Sequence, residues 1–198
     1  MKKIISAILL TLVFCLCFVS CDFSFNGFDV DGGEDSTTVM YGVCIHIGDL
    51  NQTCVFFPGI GHMTLPALAS GEEKPEFDVD DLVKITFGKN VDDIPIMESF
   101  PGQFGAKAEE ILVKKANIGF EITDSGILFS HDASDGLSLS CEDEITLSVI
   151  KENLTKAIGE GKVTETKDGR FSANIDIFGT EKEFLSLIFE NELKISRE

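Results

Sequence analysis

The chain has no Trp and a single Tyr, Tyr41, among 198 residues. Carbohydrate platforms stack sugars on Trp and Tyr, so this scarcity weighs against a lectin. Cations are scarce as well: 16 Lys and Arg stand against 34 Asp and Glu, a formal charge of −18. A field this negative repels phosphate backbones and anionic lipid head groups, which argues against nucleic acid as a partner. The three His are His46, His62 and His131, and none stands in a His-x-x-x-His metal spacing. There is no Gly-x-Ser-x-Gly elbow, no P-loop and no dinucleotide fingerprint. The expectation is a protein without catalytic residues, metal or cofactor. Phe is common where the other aromatics are rare, with 17 copies; a ring without a polar handle belongs mostly in a core.

The N-terminus carries the densest local information. Met1-Lys2-Lys3 is a short basic stretch, Ile4 to Val19 is almost wholly apolar, and no further charge occurs until Asp22. A run of about 16 residues suits the hydrophobic region of an export signal and is short for a bilayer span. It ends in Phe18-Val19-Ser20-Cys21, which resembles the lipobox of bacterial lipoproteins: apolar residues, a small residue, then the lipidated Cys. Phe18 stands where that motif usually has Leu. Cys15 and Cys17 fit less well, because bulky Phe14 and Leu16 precede them. The resemblance implies cleavage before Cys21, a diacylglycerol on its thiol, and an extracytoplasmic protein held on a bacterial membrane by its lipid. Two or more acyl chains, at about 0.8 kcal/mol per buried CH2, anchor a protein without any spanning helix. The partners expected on this reading are the membrane, through Cys21, and another envelope protein. Loss of residues 1–20 would remove Lys2 and Lys3, leaving 14 basic against 34 acidic residues and a charge near −20.

Residues 21–38 read as an acidic, Gly-containing tether. Beyond it the dominant signal is period two. Val39, Tyr41, Val43, Ile45 and Ile47 alternate with Met40, Gly42, Cys44 and His46, which predicts a half-buried strand. Gly48 to Asn51 turns, Thr53–Phe57 returns, and Gly61–Pro66 is a short third strand. Leu82–Phe87 is a fourth, with Val83, Ile85 and Phe87 on one face. Ile94–Phe100 is a fifth, placed by Pro95 at an edge or bulge. Ala106–Glu110 suggests a helical turn before a strand at Ile111-Leu112-Val113. A hairpin follows from Ile118 to Phe129, then a strand at Ile145–Val149 and helical spacing from Lys151 to Ile158. Val163–Ile177 is a second hairpin. A three-residue loop, Lys167-Asp168-Gly169, sets Val163 opposite Ala173 and keeps like faces together. Thr180-Glu181-Lys182-Glu183 has the form of a capping box. For residues 184–193 helix and strand remain alternatives. Leu147–Asn153 also echoes Leu185–Asn191, as a degenerate repeat or by chance.

Tyr41-Gly42-x-Cys44-x-His46-Ile47, Val55-Phe56, Pro58-Gly59-Ile60-Gly61-His62 and Asp80-Asp81-Leu82-Val83 together resemble an S1-type OB barrel. That family shows a Gly-x-Val strand, a Gly-x-x-Gly turn and a Gly-Asp-x-Val strand, with Asp80 here in place of the Gly. The resemblance implies a small antiparallel barrel whose face carries ligand-facing residues, places that Phe56 and His62 could occupy; His46 is a further ligand-facing candidate. The family often binds RNA, but no Lys or Arg occurs from Met40 to Ser70, so RNA does not carry over. The expected fold is mainly β: a signal at 1–20, a tether at 21–38, an OB-like barrel at 39–105, and a second hairpin-rich β unit at 106–198 with a C-terminal helix as one alternative.

The remaining candidates are weighed on their geometry. His46 and Cys44 share a strand face, and His62 beside its Gly turn could meet His46 across the sheet. Those pairings are the form that a metal site or a hydrolase would take. Ser130-His131-Asp132 suggests a triad only by adjacency; neighbours on an extended chain point apart, so a polar loop is the simpler reading. Cys44 and Cys54 either form a disulfide across a hairpin or stay as small buried thiols.

Overall fold

The computed structural model describes residues 37–116, 118–124, 126–132, 137–165, 170–190 and 193–197. The protein is mainly β. Its first half builds a seven-stranded sheet from β1 (Thr38–Ile47), β2 (Gln52–Phe57), β3 (Gly61–Thr64), β4 (Asp81–Phe87), β5 (Ile96–Met97), β6 (Gly102–Phe104) and β7 (Glu110–Lys115), in the order β5-β6-β3-β2-β1-β4-β7. Neighbours are antiparallel except β3 and β6. The sheet is open. The expected closed barrel is not present among the described residues, because β5 and β7 end the sheet instead of pairing with each other.

Two local expectations give way to tertiary contacts. The fifth strand shrinks from Ile94–Phe100 to Ile96–Met97: Pro95 has no N–H to give, and its carbonyl accepts from Gly105 N at 2.6 Å. No helical turn forms at 106–110. Buried Ala108 is pinned as extended chain, its N–H on the Ala67 carbonyl at 2.9 Å and its carbonyl taking Ala69 N–H at 2.7 Å. β7 lies in the first sheet, so the boundary between sheets falls after Lys115 and not at 105/106.

The second half forms a four-stranded sheet in the order β11-β12-β9-β8, from β8 (Gly119–Thr123), β9 (Gly126–Asp132), β11 (Val163–Glu165) and β12 (Arg170–Asn174). β10 (Leu137–Cys141) and β13 (Leu193–Arg197) pair separately. Val163 stands opposite Ala173, as the three-residue loop requires; the loop at 167–169 lies outside the described residues. Beyond Asn174 the predicted strand becomes a 3-10 turn, Ile175–Phe178, capped by the Asn174 side chain. Ser130-His131-Asp132 lies in β9, not in a polar loop.

Two helices complete the unit: α1 (Glu144–Gly159) and α2 (Glu181–Phe189). The strand predicted at Ile145–Val149 is therefore the opening of α1. β-branched residues favour a strand there, but two helix determinants override them. Asp143 accepts the Thr146 N–H as N-cap at 3.0 Å. Ile150, Leu154 and Ala157 then recur at helical spacing and are buried, while Ile145 stays 76% exposed. At α2 the capping box is complete: Thr180 Oγ1 accepts from Glu183 N at 3.2 Å and Glu183 Oε2 accepts from Thr180 N at 2.8 Å. This settles residues 184–189 as helix, and Leu193 begins β13. The echo of Leu147 in Leu185 thus falls on a helix both times.

The first sheet is buried on both faces at its centre. On one face Met40, Cys44, Val55, Val83, Ile85 and Phe87 pack under the sheet's own connections, against Leu65, Leu68, Phe104 and Ala108. On the other, Val43 and Leu82 join the core of the second half with Ile127, Phe129, Phe178, Phe184 and Leu185. β1 is thus fully buried along its middle instead of half-buried, because a unit far along the chain covers its second face. The rings of Phe129, Phe178 and Phe184 pack together, the last two stacked at 5.0 Å. Each such ring contributes roughly 1.5–3 kcal/mol of burial.

The C-terminal end of α2 is held to the sheet by charge. Lys114 on β7 donates to the carbonyls of Ile188 and Phe189, where a helix exposes unpaired acceptors and partial negative charge. Glu190 accepts from Tyr41 Oη at 2.9 Å and from Lys84 Nζ at 2.7 Å. The Tyr41 ring lies edge-on to Phe189 at 5.8 Å.

Candidate functional site

The sheet register decides which of the sequence candidates can act together. Val43 pairs with Phe56, and Phe56 with His62, so these three side chains share one face. His46 pairs with Thr53 and, by alternation from Val43, stands on the opposite face near the exposed end of β1. His46 and His62 therefore point away from each other, and the metal or acid–base pairing considered for them does not form. His131 is buried in β9 of the other sheet, opposite Phe171. Among the described residues no cluster of three His, Cys, Asp or Glu side chains is arranged to hold a metal ion.

Phe56 and His62 do come together, and they recruit a third ring. Phe56 and His62 meet edge to face at 5.3 Å, and His62 meets Phe100 in the same manner at 5.5 Å. The row runs from Phe56, packed against the second half's core, out to Phe100, which is 65% exposed. β2 and β3 position the first two rings through direct cross-strand pairing. Phe100 arrives from the connection between β5 and β6, ahead of a cis Pro101. Burial lowers the His62 pKa below its ordinary value, which favours the neutral imidazole. The row is an aromatic surface on an acidic molecule. Sequence reading misses Phe100 because it assigns the residue to a strand. The Phe-Pro-Gly turn signal around it is the cue that sets it apart.

The thiols are similarly sorted by register. Cys44 pairs with Val55 and Cys54 with Ile45, so the two sulfurs lie on opposite faces of the sheet and cannot bond. Both are reduced and buried. Burial pushes the Cys44 thiol far above its ordinary range, with the Asp81 carboxylate adding to the effect, and raises Cys54 to about 11. Neither is a nucleophile in this state.

Asp80 occupies the position where the S1-type pattern has Gly, and its backbone is left-handed, with φ of 69°. Asp tolerates that region better than most residues. Its N–H donates to the Cys44 carbonyl at 2.8 Å, and its carboxylate accepts from Phe120 N at 2.8 Å, tying β8 to the first sheet. Asp81 next to it is buried and accepts from Asp78 N at 2.8 Å and from Lys115 Nζ at 2.9 Å. These acids build a joint and leave no open site.

Cys21 and the tether up to residue 36 lie outside the described residues. Among the described residues no helix is long and apolar enough to cross a membrane. The chain matches no family model, no curated protein and no solved structure.

Proposed function

We propose that this protein is a lipid-anchored, extracytoplasmic binding module that acts through its β scaffold and performs no catalysis. The anchor rests on Phe18-Val19-Ser20-Cys21. The binding role rests on one observation, the row of Phe56, His62 and Phe100 that runs from half-buried rings on the sheet out to exposed Phe100. An aromatic row offers apolar contact and ring edges at little entropic cost, as binding surfaces do. The occupant that suits it is an apolar or aromatic side chain of an envelope protein. The high acidic charge disfavours RNA, and binding to RNA at physiological salt should be undetectable; a micromolar affinity there would overturn the charge argument.

Two measurements test the two halves of the proposal. Mass spectrometry of the N-terminus should find an acylated Cys21, whereas an intact Met1 or cleavage well past residue 21 refutes the anchor. Envelope proteins captured by the wild-type chain should be lost with Phe100→Ala; an unchanged set of captured proteins refutes the aromatic row as the binding surface. A second reading, an envelope assembly module that pairs with its own copies, is favoured by a different feature, the open edge at β7.

A further inference from the structure

The two ends of the large sheet are built differently. β5 is two residues long and follows Pro95, two devices that blunt an edge against pairing. β7 has neither protection. It is six residues long, contains no Pro, and is hydrogen-bonded to β4 on one side as the last strand of the sheet among the described residues. Leu112 at its middle is 40% exposed.

The sequence of this edge is self-complementary. It reads Glu109-Glu110-Ile111-Leu112-Val113-Lys114-Lys115, with acids at one end, bases at the other and three apolar residues between. Two copies of an edge strand extend one sheet when they run antiparallel about a two-fold axis perpendicular to it. That operation preserves faces, so each residue must meet one of like parity. Centring the axis on Leu112 satisfies this condition. Leu112 meets its own copy, Ile111 meets Val113, Glu110 meets Lys114, and Glu109 meets Lys115. Every pair is apolar with apolar or acid with base. Centring on Val113 instead would set Leu112 against Lys114 and Ile111 against Lys115, so the charges select the register.

We propose that the β7 edge is a homodimer interface in which a second copy of this chain adds its own β7, antiparallel and centred on Leu112, joining two seven-stranded sheets into one. Present side-chain bonds are compatible with this. Lys114 donates to the backbone carbonyls of Ile188 and Phe189, and the Glu110 of a second copy supplies it with a carboxylate. Lys115 is bridged to Asp78 and Asp81 and remains 63% exposed, so its pairing with Glu109 is the weaker of the two. These pairs set opposite charges together locally, against the repulsion expected between two chains of charge −18. This inference stands apart from the anchor and from the aromatic row.

Sedimentation of the full-length chain, in mild detergent with micelles in excess over protein, tests it. The wild type should dimerise with rising concentration. Leu112→Lys and Leu112→Glu each place like charges on the two-fold axis and should weaken the dimer about tenfold or more. An equimolar mixture of the two variants should recover it, since opposite charges then face each other. Slower amide exchange in β7 of the wild type at high concentration is the second readout and needs no variant. A wild type that stays monomeric at ~100 μM, well above a micromolar Kd, overturns the proposal. So does a dimer that Leu112→Lys leaves intact, or a mixture that does not recover.

Discussion

Gly42 sits at the centre of β1, and an added methyl there has no room. A Cβ built on it would lie 2.6 Å from Val55 Cγ1, 2.8 Å from Phe57 Cδ1 and 2.8 Å from the Phe56 carbonyl oxygen. The first two neighbours are core side chains with almost no exposure, and the third is backbone of the paired strand. None can retreat without moving β2. Overpacking of this kind costs about 1–3 kcal/mol, and a backbone contact puts Gly42→Ala near the upper end. The substitution also stiffens the unfolded chain, which returns about 0.4–1 kcal/mol. The net expectation is a loss of about 2 kcal/mol, a large share of a typical domain's stability. With a urea m value of about 2 kcal/mol/M, the unfolding midpoint of the full-length chain should fall by about 1 M. Val55→Ala should cost less in the Gly42→Ala background than alone, because it removes the shortest of the three contacts. Gly159 provides the contrast. It ends α1 with nothing within 4 Å of its would-be Cβ, and Gly159→Ala should raise stability by about 0.5–1 kcal/mol. A midpoint for Gly42→Ala equal to or above wild type would refute the account of how β1 and β2 pack.

Three further outcomes follow from local geometry. Thr180→Ala breaks the capping box of α2 and should cost about 1 kcal/mol by urea unfolding, with helix content read by circular dichroism. Glu190→Gln should cost about 1 kcal/mol or less at neutral pH. The Lys84 hydrogen bond, with Tyr41 assisting, holds the Glu190 pKa below its ordinary value. Its contribution is therefore present above the ordinary glutamate range and lost as pH falls through the depressed folded value, so wild type and variant should converge in acid; a gap that widens there would contradict the assignment. In native alkylation resolved by residue, partly exposed Cys141 should react before buried Cys44 and Cys54, which should react only on unfolding. Early modification of Cys44 would contradict its placement in the core.

The parts of the fold that were legible in sequence are those with a local cause. β1 shows its alternation because successive side chains must face opposite ways. The Val163–Ala173 register follows from loop length, and the start of α2 follows from Thr180 and Glu183. Where the local signal was ambiguous, distant contacts chose. Ile145–Val149 has strand-forming residues, yet the core accepts Ile150, Leu154 and Ala157 at helical spacing. Ala106–Glu110 could turn as a helix, yet Ala108 pairs with the 67–69 segment. Phe100 joins the aromatic row because the chain between β5 and β6 carries it across to His62, a contact that no spacing in the sequence encodes.

By itself, then, the sequence determined the alternation of β1, the Val163–Ala173 register, the Thr180 capping box, the strong negative charge and the N-terminal pattern on which the proposed lipid anchor wholly rests. Only the tertiary structure decided that, among the described residues, the first sheet stays open with both its faces covered at the centre and β7 as an edge, and that Cys44 turns away from Cys54 and His46 from His62. The reason is physical. Periodicity tells which residues share a face, but what covers a face or closes an edge depends on elements far away in the chain. Here Phe184 and Leu185, more than a hundred residues beyond Val43, share its core.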